Sequence, residues 1–255
     1  MVSFSLEGKT AVVLGAAGGI GSALALGLAE HGANLAVATA SSMEALEKVA
    51  EEVRTQTGKK VVSYQVNVTD EESMAKFVAA VVAEFGGVDI LVNSMGLNKK
   101  AAVLEYPMSD YEKMFDVNVK GTLIACKHFG KVMTEAKKGS IINLSSVRGI
   151  RGKDGGNSCY SATKGAVEMF TKCAAIELAP FNVRVNAIGP ALIITQGTIH
   201  IKNNPELAEK YKKAIPLGRL GMGEDLVGAT VYLASDAASF VTGQTIFVDG
   251  GTTAG

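Results

Sequence analysis

A tyrosine and a lysine four residues apart have the clearest potential for chemistry: Tyr160 and Lys164 in the run YSATK. A helix turns once in about 3.6 residues, so positions i and i+4 share a face and the ammonium can lie beside the phenol. A close cation stabilises a phenolate and lowers the pKa of a tyrosine from about 10 toward a range useful for acid–base catalysis. The spacing predicts an acid–base pair, although a half-buried tyrosine and a solvated lysine would explain the pair taken alone.

A glycine-rich run, GAAGGIG at residues 15–21, lies between an apolar strand and a helix. In that context Gly15 permits a tight turn, Gly19 lets the backbone approach a pyrophosphate, and Gly21 lets helix and strand pack closely. The spacing GxxxGxG differs from the commoner GxGxxG, and glycine-rich turns also occur for purely geometric reasons. With strand and helix in place, the run predicts a dinucleotide site.

The end of the second predicted strand should decide between NAD and NADP. An acid there binds the ribose diol of NAD, whereas a cation binds the 2′-phosphate of NADP. Residues 34–42 read NLAVATASS and contain neither. Hydroxyls of Thr39, Ser41 and Ser42 can donate hydrogen bonds to a phosphate, which favours NADP over NAD. The alternative is that Ser41 or Ser42 is an ordinary turn or helix-cap residue.

Short β-rich runs alternate with helical segments along the whole chain, which predicts an α/β fold with a doubly wound, Rossmann-like parallel sheet and helices on both faces. No linker composition interrupts residues 1–255, so we expect a single domain. Apolar stripes along residues 43–53 and 74–85 predict helices facing the sheet. Residues 189–222 do not fit the alternation and are expected to form a substrate lid. The predicted strands are 10–14, 34–38, 61–66, 88–92, 140–144, 183–188 and 245–248.

Composition excludes several classes of protein. Lys plus Arg and Asp plus Glu each number 25, so no overall charge attracts nucleic acid or an anionic membrane. The three cysteines and three histidines show no metal-ligand spacing, so no metal is expected. The sequence begins without an export signal and has no apolar run of the roughly 20 residues that span a bilayer. We expect a cytoplasmic protein whose partner is a small molecule.

The ordered set of motifs resembles the short-chain dehydrogenase/reductase family. These motifs are GAAGGIG, NSMG at 93–96, Asn118 in DVNVKG, Ser146 in NLSSVRG, YSATK, and PLGRLG at 216–221. The resemblance covers the chain and implies seven strands in the order 3-2-1-4-5-6-7. It also implies a homotetramer whose contacts are formed by the helices that carry Asn118 and Tyr160.

The same resemblance implies four catalytic residues. Tyr160 would be the acid–base group, and Lys164 would lower its pKa and bind the nicotinamide ribose. Ser146 would hydrogen-bond the substrate oxygen, and Asn118 would hold a water that links Lys164 to solvent. Serine at a strand end is also a common cap, and Asn118 alone could be a structural amide.

With the hydroxyls at the end of the second strand, the resemblance predicts a set of cofactor contacts. The sequence departs from the usual pattern of this family at Leu14, in NSMG, at Asn67 and at Ala191. These departures concern the cofactor contacts rather than the four catalytic residues. The set is Gly15, Gly18, Gly19, Ile20, Gly21, Thr39, Ser41, Asn67, Val68, Asn93, Gly96, Tyr160, Lys164, Pro190, Ile193 and Thr195.

Basic residues in the loops after the fourth and fifth strands outnumber acids, which indicates an anionic substrate, although a solvated loop surface is nearly as good an explanation. Besides Ser146 and Tyr160, either Arg148 or Arg151 is expected to bind the substrate, because a guanidinium grips a carboxylate with two hydrogen bonds. The sequence also looks like gluconate 5-dehydrogenase and related sugar-acid or polyol enzymes. A 3-oxoacyl-thioester reductase is the alternative within the family, and a non-catalytic NAD(P)-binding sensor is the alternative of another class.

Overall fold

Seven parallel strands form one sheet in the computed structural model, which describes residues 2–255. The order β3-β2-β1-β4-β5-β6-β7 confirms the expected topology, and every neighbouring pair is parallel. The strands are β1 (Thr10–Leu14), β2 (Asn34–Thr39), β3 (Val61–Gln65), β4 (Ile90–Asn93), β5 (Gly139–Leu144), β6 (Val183–Pro190) and β7 (Thr245–Val248).

Helices connect the strands and cover both faces of the sheet. Two of them show clear sequence signals at their ends: Asp70 accepts backbone N–H groups at the start of α3, and Gly58 ends α2 in the left-handed conformation. No helix of residues 2–255 is long and apolar enough to cross a membrane. The helices are α1 (Gly19–Glu30), α2 (Met43–Thr57), α3 (Glu71–Phe85), α4 (Met108–Phe115), α5 (Gly121–Ala136), α6 (Ser158–Leu178), α7 (Ile199–Asn203), α8 (Pro205–Lys213) and α9 (Val227–Ala234).

Two apolar cores lie on opposite faces of the sheet. Successive strand residues point to opposite faces, so Val13 packs in the core beneath α1, α2 and α9, whereas Val12 packs in the core beneath α3, α5 and α6. The predicted stripes on α2 and α3 supply Leu46 to the first core and Phe77 to the second. Burial on both faces explains why the strands are almost continuously apolar in sequence.

Strands β4 and β6 and the lid differ most from the predicted boundaries, and β2, β3 and β5 each differ by one residue at one end. Strand β4 begins at Ile90, and the carboxylate of the preceding Asp89 accepts the Thr10 backbone N–H at 2.9 Å. Strand β6 continues to Pro190, since β7 pairs with its last residues. The expected lid at 189–222 therefore starts inside a strand, and its middle is helical, formed by α7 and α8.

The carboxyl ends of β1, β4, β5 and β6 meet at one edge of the sheet, as parallel pairing requires. The glycine-rich run and the serine pair directly follow β1 and β5, NSMG begins with the last residue of β4, and the predicted lid begins at the end of β6. The fold thus collects residues that are far apart in sequence at one edge.

Replacing Phe129 by alanine should lower the free energy of unfolding by about 3–5 kcal/mol. This ring is fully buried and packs edge-on against Phe77, with centroids 5.6 Å apart. The matched variant is Phe240→Ala, whose ring is fully exposed and should change stability by less than about 0.5 kcal/mol. Urea denaturation measures both, and similar losses in the two variants would contradict this packing.

Candidate active site

The glycine-rich turn brings the start of α1 against β1 and β4. Gly15 has φ +80°, and a Cβ on Gly21 would lie 2.3 Å from the Gly15 carbonyl oxygen, so both positions require glycine. Gly18 is the N-cap of α1, and the first turn contains no acid. The N–H groups of Gly19, Ile20 and Gly21 therefore form the positive end of the helix, which suits a pyrophosphate.

Ser94, at the second position of NSMG, fastens this turn to the sheet. Its hydroxyl donates to the Leu14 carbonyl at 2.5 Å. Sequence reasoning noted the departure at NSMG but assigned Ser94 no role. The side chain of neighbouring Asn93 donates to Asn143 at 2.8 Å, so its amide nitrogen is used inside the sheet.

The three hydroxyls at the end of β2 have different hydrogen-bond partners. Thr39 and Ser41 lie side by side, with their oxygens 3.1 Å apart. Ser42 accepts the Ala45 N–H at 3.1 Å and is the N-cap of α2, the alternative considered from the sequence. Thr39 and Ser41 remain the pair that can face a phosphate.

Two predicted cofactor contacts follow β3 and form the other side of this region. Asn67 is exposed, and its amide oxygen accepts hydrogen bonds from both the N–H and the hydroxyl of Thr69. Val68 is buried and packs against Gly121, where a Cβ would lie 3.0 Å from it. Asn67 therefore offers polar groups at the surface, and Val68 an apolar wall.

Asn118 lies in a π-helical turn, Asp116–Lys120, that joins α4 to α5. Its amide oxygen accepts the Leu97 N–H at 2.7 Å, and its amide nitrogen donates to Leu97 at 2.9 Å and to the Thr163 hydroxyl at 3.0 Å. Thr163 in turn donates to the Tyr160 carbonyl at 2.8 Å. Widened turns of this kind often occur at functional sites, and this one ties the loop after β4 to α6.

The Lys164 ammonium is buried beside the Tyr160 ring. Only 4% of Lys164 is exposed, and its Nζ donates to the Leu144 carbonyl at 2.6 Å, where β5 ends. The Nζ lies 5.9 Å from the centre of the Tyr160 ring. Burial lowers the pKa of Lys164 to about 8, and the negative charge of Glu168 acts in the opposite direction.

Burial raises the pKa of Tyr160, opposite to the shift expected from the sequence. The nearby Ser146 hydroxyl and the positive charge of Arg148 act to lower that pKa, but burial outweighs them. The spacing of Tyr160 and Lys164 in sequence thus predicts their proximity but not the direction of the Tyr160 shift.

Of the two serines after β5, Ser146 lies on the Tyr160 side. It accepts the Arg148 N–H at 3.1 Å and donates to the Pro190 carbonyl at 3.4 Å. Ser145 faces the Lys164 carbonyl at 3.4 Å and is buried. The structure thus brings Asn118, Ser146, Tyr160 and Lys164 together, the last three around one point at the end of β5.

The two arginines that are candidates for binding the substrate differ in exposure and in hydrogen-bond partners. Arg148 is half-buried, donates to the Gly152 carbonyl at 3.1 Å and is close enough to Tyr160 for their charges to interact. Arg151 is exposed, and its guanidinium donates to the Thr252 carbonyl in the C-terminal loop. Arg148 is therefore the candidate arginine whose charge acts on Tyr160.

The beginning of the predicted lid contacts the glycine-rich turn. The Thr195 side chain lies 2.8 Å from the position of a Cβ on Gly19, and Ile193 bridges to Gly221 at the lid's far end. Gly96 lies near the inner wall, where a Cβ would be 3.7 Å from the Lys164 Nζ. Pro190, Ile193 and Thr195 thus border the same cleft as the glycine-rich turn.

A cavity of about 120 Å³ lies between the lid and the C-terminal loop, lined by apolar residues that include Leu192, Ile215 and Leu217. None of the four predicted catalytic residues lines it. This cavity therefore does not hold the predicted catalytic residues, although Ile193 lines both it and the cleft at the end of β5.

Replacing Thr163 by valine should lower the free energy of unfolding by about 1–3 kcal/mol, because one buried N–H of Asn118 then loses its acceptor. The control is Thr230→Val, equally buried, which loses only a bond to a carbonyl one turn earlier and should cost less than about 1 kcal/mol. Equal costs in urea denaturation would mean that Thr163 does not support Asn118.

Comparisons with known proteins agree over nearly the whole chain. Residues 15–253 match the family described as Enoyl-(Acyl carrier protein) reductase. The 3-oxoacyl-(acyl-carrier-protein) reductase of Staphylococcus aureus is 39% identical over 243 residues, which cover 95% of this chain and 97% of that protein. A short-chain type dehydrogenase/reductase from Mycobacterium marinum superposes with a TM-score of 0.93 at 35% identity, covering 99% and 98% of the two chains.

A gluconate 5-dehydrogenase from Burkholderia cenocepacia, solved in complex with NADP and tartrate, also has a TM-score of 0.93, at 31% identity over 99% of this chain and 98% of that one. The sequence motifs, strand order and these comparisons point the same way. The chain belongs to the short-chain dehydrogenase/reductase family and is an oxidoreductase of the NAD(P)-binding kind.

Proposed function

We propose that the protein transfers a hydride between a nicotinamide dinucleotide and a secondary alcohol or ketone of a small, anionic, hydroxylated molecule such as a sugar acid or polyol. The observation that carries this proposal is the placement of Tyr160, Lys164 and Ser146 around one point at the end of β5, beside the glycine-rich turn. The 31% identical gluconate 5-dehydrogenase with NADP and tartrate bound supports the substrate class.

The residues present suit a dinucleotide. The N–H groups at the start of α1 would bind its pyrophosphate, and Lys164 would hold a ribose hydroxyl. When bound, the dinucleotide supplies the carbon that accepts or donates hydride. Thr195, which already touches the glycine-rich turn, would cover the cofactor as the lid closes.

Tyr160 is the general acid in reduction and the general base in oxidation in this proposal. In reduction the hydride adds to the carbonyl carbon, and the oxygen takes the Tyr160 proton, which leaves a phenolate. The raised pKa of Tyr160 keeps its phenol protonated at neutral pH and therefore ready to donate. Ser146 hydrogen-bonds the same oxygen as charge develops. In oxidation the proton moves the other way.

Lys164 and Asn118 would return the proton from solvent. The pKa of Lys164, about 8, lets it lose and regain a proton near neutral pH. Asn118 already makes three hydrogen bonds to residues 97 and 163. A water would therefore have to donate to the remaining acceptor position of the Asn118 amide oxygen. Asn118 thus anchors the relay rather than moving the proton itself.

We infer a preference for NADP. The paired hydroxyls of Thr39 and Ser41, and the absence of any acid at residues 34–42, support this choice. Arg148 is the proposed anchor for the anionic group of the substrate, because it is half-buried and its charge acts on Tyr160.

A 3-oxoacyl-thioester reductase is the second candidate. Val103 and Leu104 are largely exposed in the loop after β4, which provides apolar surface for an acyl chain beside the site. The 39% identity to the Staphylococcus aureus reductase also favours this candidate. A sensor without chemistry remains the alternative of another class.

We propose a homotetramer in the cytoplasm. Leu123 on α5 and Met169 and Ile176 on α6 are exposed apolar side chains, as expected of helices that pack against another copy of the chain. Cys126, Cys159 and Cys173 are all free thiols, which fits a reducing compartment.

Replacing Tyr160 by phenylalanine should lower kcat by about 10²–10⁴-fold and leave the cofactor Kd nearly unchanged, because only the proton donor is lost. The assay follows reduced nicotinamide with sugar acids, polyols and hydroxyacyl thioesters as substrates. Tyr232→Phe, at a tyrosine on α9, is the control and should retain wild-type kcat. A wild-type protein that binds cofactor but turns over none of these substrates would favour the sensor.

Replacing Ser41 by aspartate should raise the Kd of NADP about tenfold or more, because the new carboxylate repels the 2′-phosphate, while the Kd of NAD stays level or falls. The neutral control is Ser41→Asn. Calorimetric titration of both cofactors measures the change. Tighter binding of NAD than NADP by the wild-type protein would overturn the preference.

A further inference from the structure

A buried acid lies one helical turn beyond Lys164. Glu168 is on α6 at position i+4 from Lys164 and i+8 from Tyr160, so the three side chains share one face of the helix. Only 6% of Glu168 is exposed, which is rare for a glutamate. Sequence reasoning assigned Glu168 no role.

Only one of the two carboxylate oxygens of Glu168 has a hydrogen-bond partner among residues 2–255. One carboxylate oxygen accepts a hydrogen bond from the Thr245 hydroxyl at the start of β7. The other oxygen is buried and has no hydrogen-bond partner among residues 2–255. The turn after β5 closes over the side chain, since a Cβ on Gly149 would lie 3.0 Å from both Glu168 Cγ and the Lys164 carbonyl oxygen.

A buried carboxylate with an unpartnered oxygen is costly unless a nearby cation compensates for it. Lys164 is that cation, and the charge of Glu168 raises the pKa of Lys164 against the effect of burial. Arg148 is a further charged group close to Tyr160, and its positive charge acts to lower the Tyr160 pKa. Glu168 and Lys164 therefore form a buried pair of opposite charges without direct hydrogen bonding.

We propose that Glu168 is a positioning residue that keeps Lys164 in its protonated, positively charged form beside Tyr160. This inference rests on the proposed oxidoreductase function. Glu168 does not touch the reacting atoms; it acts through Lys164.

The sign of the effect on pH dependence follows directly. Without the negative charge of Glu168, Lys164 loses its proton at a lower pH. The ammonium that assists the Tyr160 phenolate is then lost earlier as pH rises, so the alkaline limb of the kcat profile moves to lower pH.

The direct test is a lysine titration by NMR that needs no substrate. The protein is labelled with ¹³Cε-lysine, and the Lys164 signal is identified by its loss in Lys164→Arg. In Glu168→Gln, which is isosteric and can still accept from Thr245, the Lys164 midpoint should fall by on the order of one pH unit. Glu168→Met removes both charge and hydrogen bond and should give the same fall, whereas a purely structural role would separate the two variants.

Glu177→Gln is the matched control, because it removes an exposed acid from the same helix and should leave the Lys164 midpoint unchanged. Circular dichroism checks that each variant is folded. An unchanged Lys164 midpoint in folded Glu168→Gln or Glu168→Met overturns the proposal, as does a different shift in the two. A wild-type protein without turnover would remove the proposed function, while the titration still decides whether Glu168 sets the charge of Lys164.

Discussion

The buried ammonium of Lys164 is the constraint on which the site depends. It is held by one hydrogen bond to the carbonyl of Leu144, the last residue of β5, and lies under the phenol of Tyr160. Burial makes the proton on this ammonium easy to lose, and the same burial makes the proton on Tyr160 hard to lose. The two shifts move the pKa values of the pair apart, so Tyr160 keeps its proton near neutral pH while Lys164, with a pKa of about 8, can lose and regain one.

The parallel sheet positions the groups that surround Tyr160 and Lys164. Strand β5 ends at Leu144 and is followed by Ser146, while β6 ends at Pro190, whose carbonyl accepts the Ser146 hydroxyl. The π-helical turn brings Asn118 to Thr163, so the loop after β4 is fixed to α6. Each group comes from a different element, and the common edge of the sheet is what makes their distances short.

The fold and the central pair could be predicted from the sequence because their signals are local. Seven apolar runs predicted the positions of the strands. The spacing of Tyr160 and Lys164 predicted that their side chains share one face of a helix. Contacts between distant segments could not be predicted: Thr163 supports Asn118 across 45 residues, and Arg151 is drawn to Thr252 across 101. The direction of the Tyr160 shift was wrong for the same reason, since burial depends on all the elements packed around the phenol.

The central claim is that Tyr160 becomes an acid–base group through the charges placed around it. It is tested most directly by titrating phenolate absorbance in the presence of saturating oxidised NADP and subtracting the same titration of Tyr160→Phe. The difference isolates one of the six tyrosines. The account predicts that Tyr160 then ionises below the ordinary tyrosine pKa of about 10, because the bound cofactor would place a positive nicotinamide near the phenol. Ionisation at or above that value would contradict it.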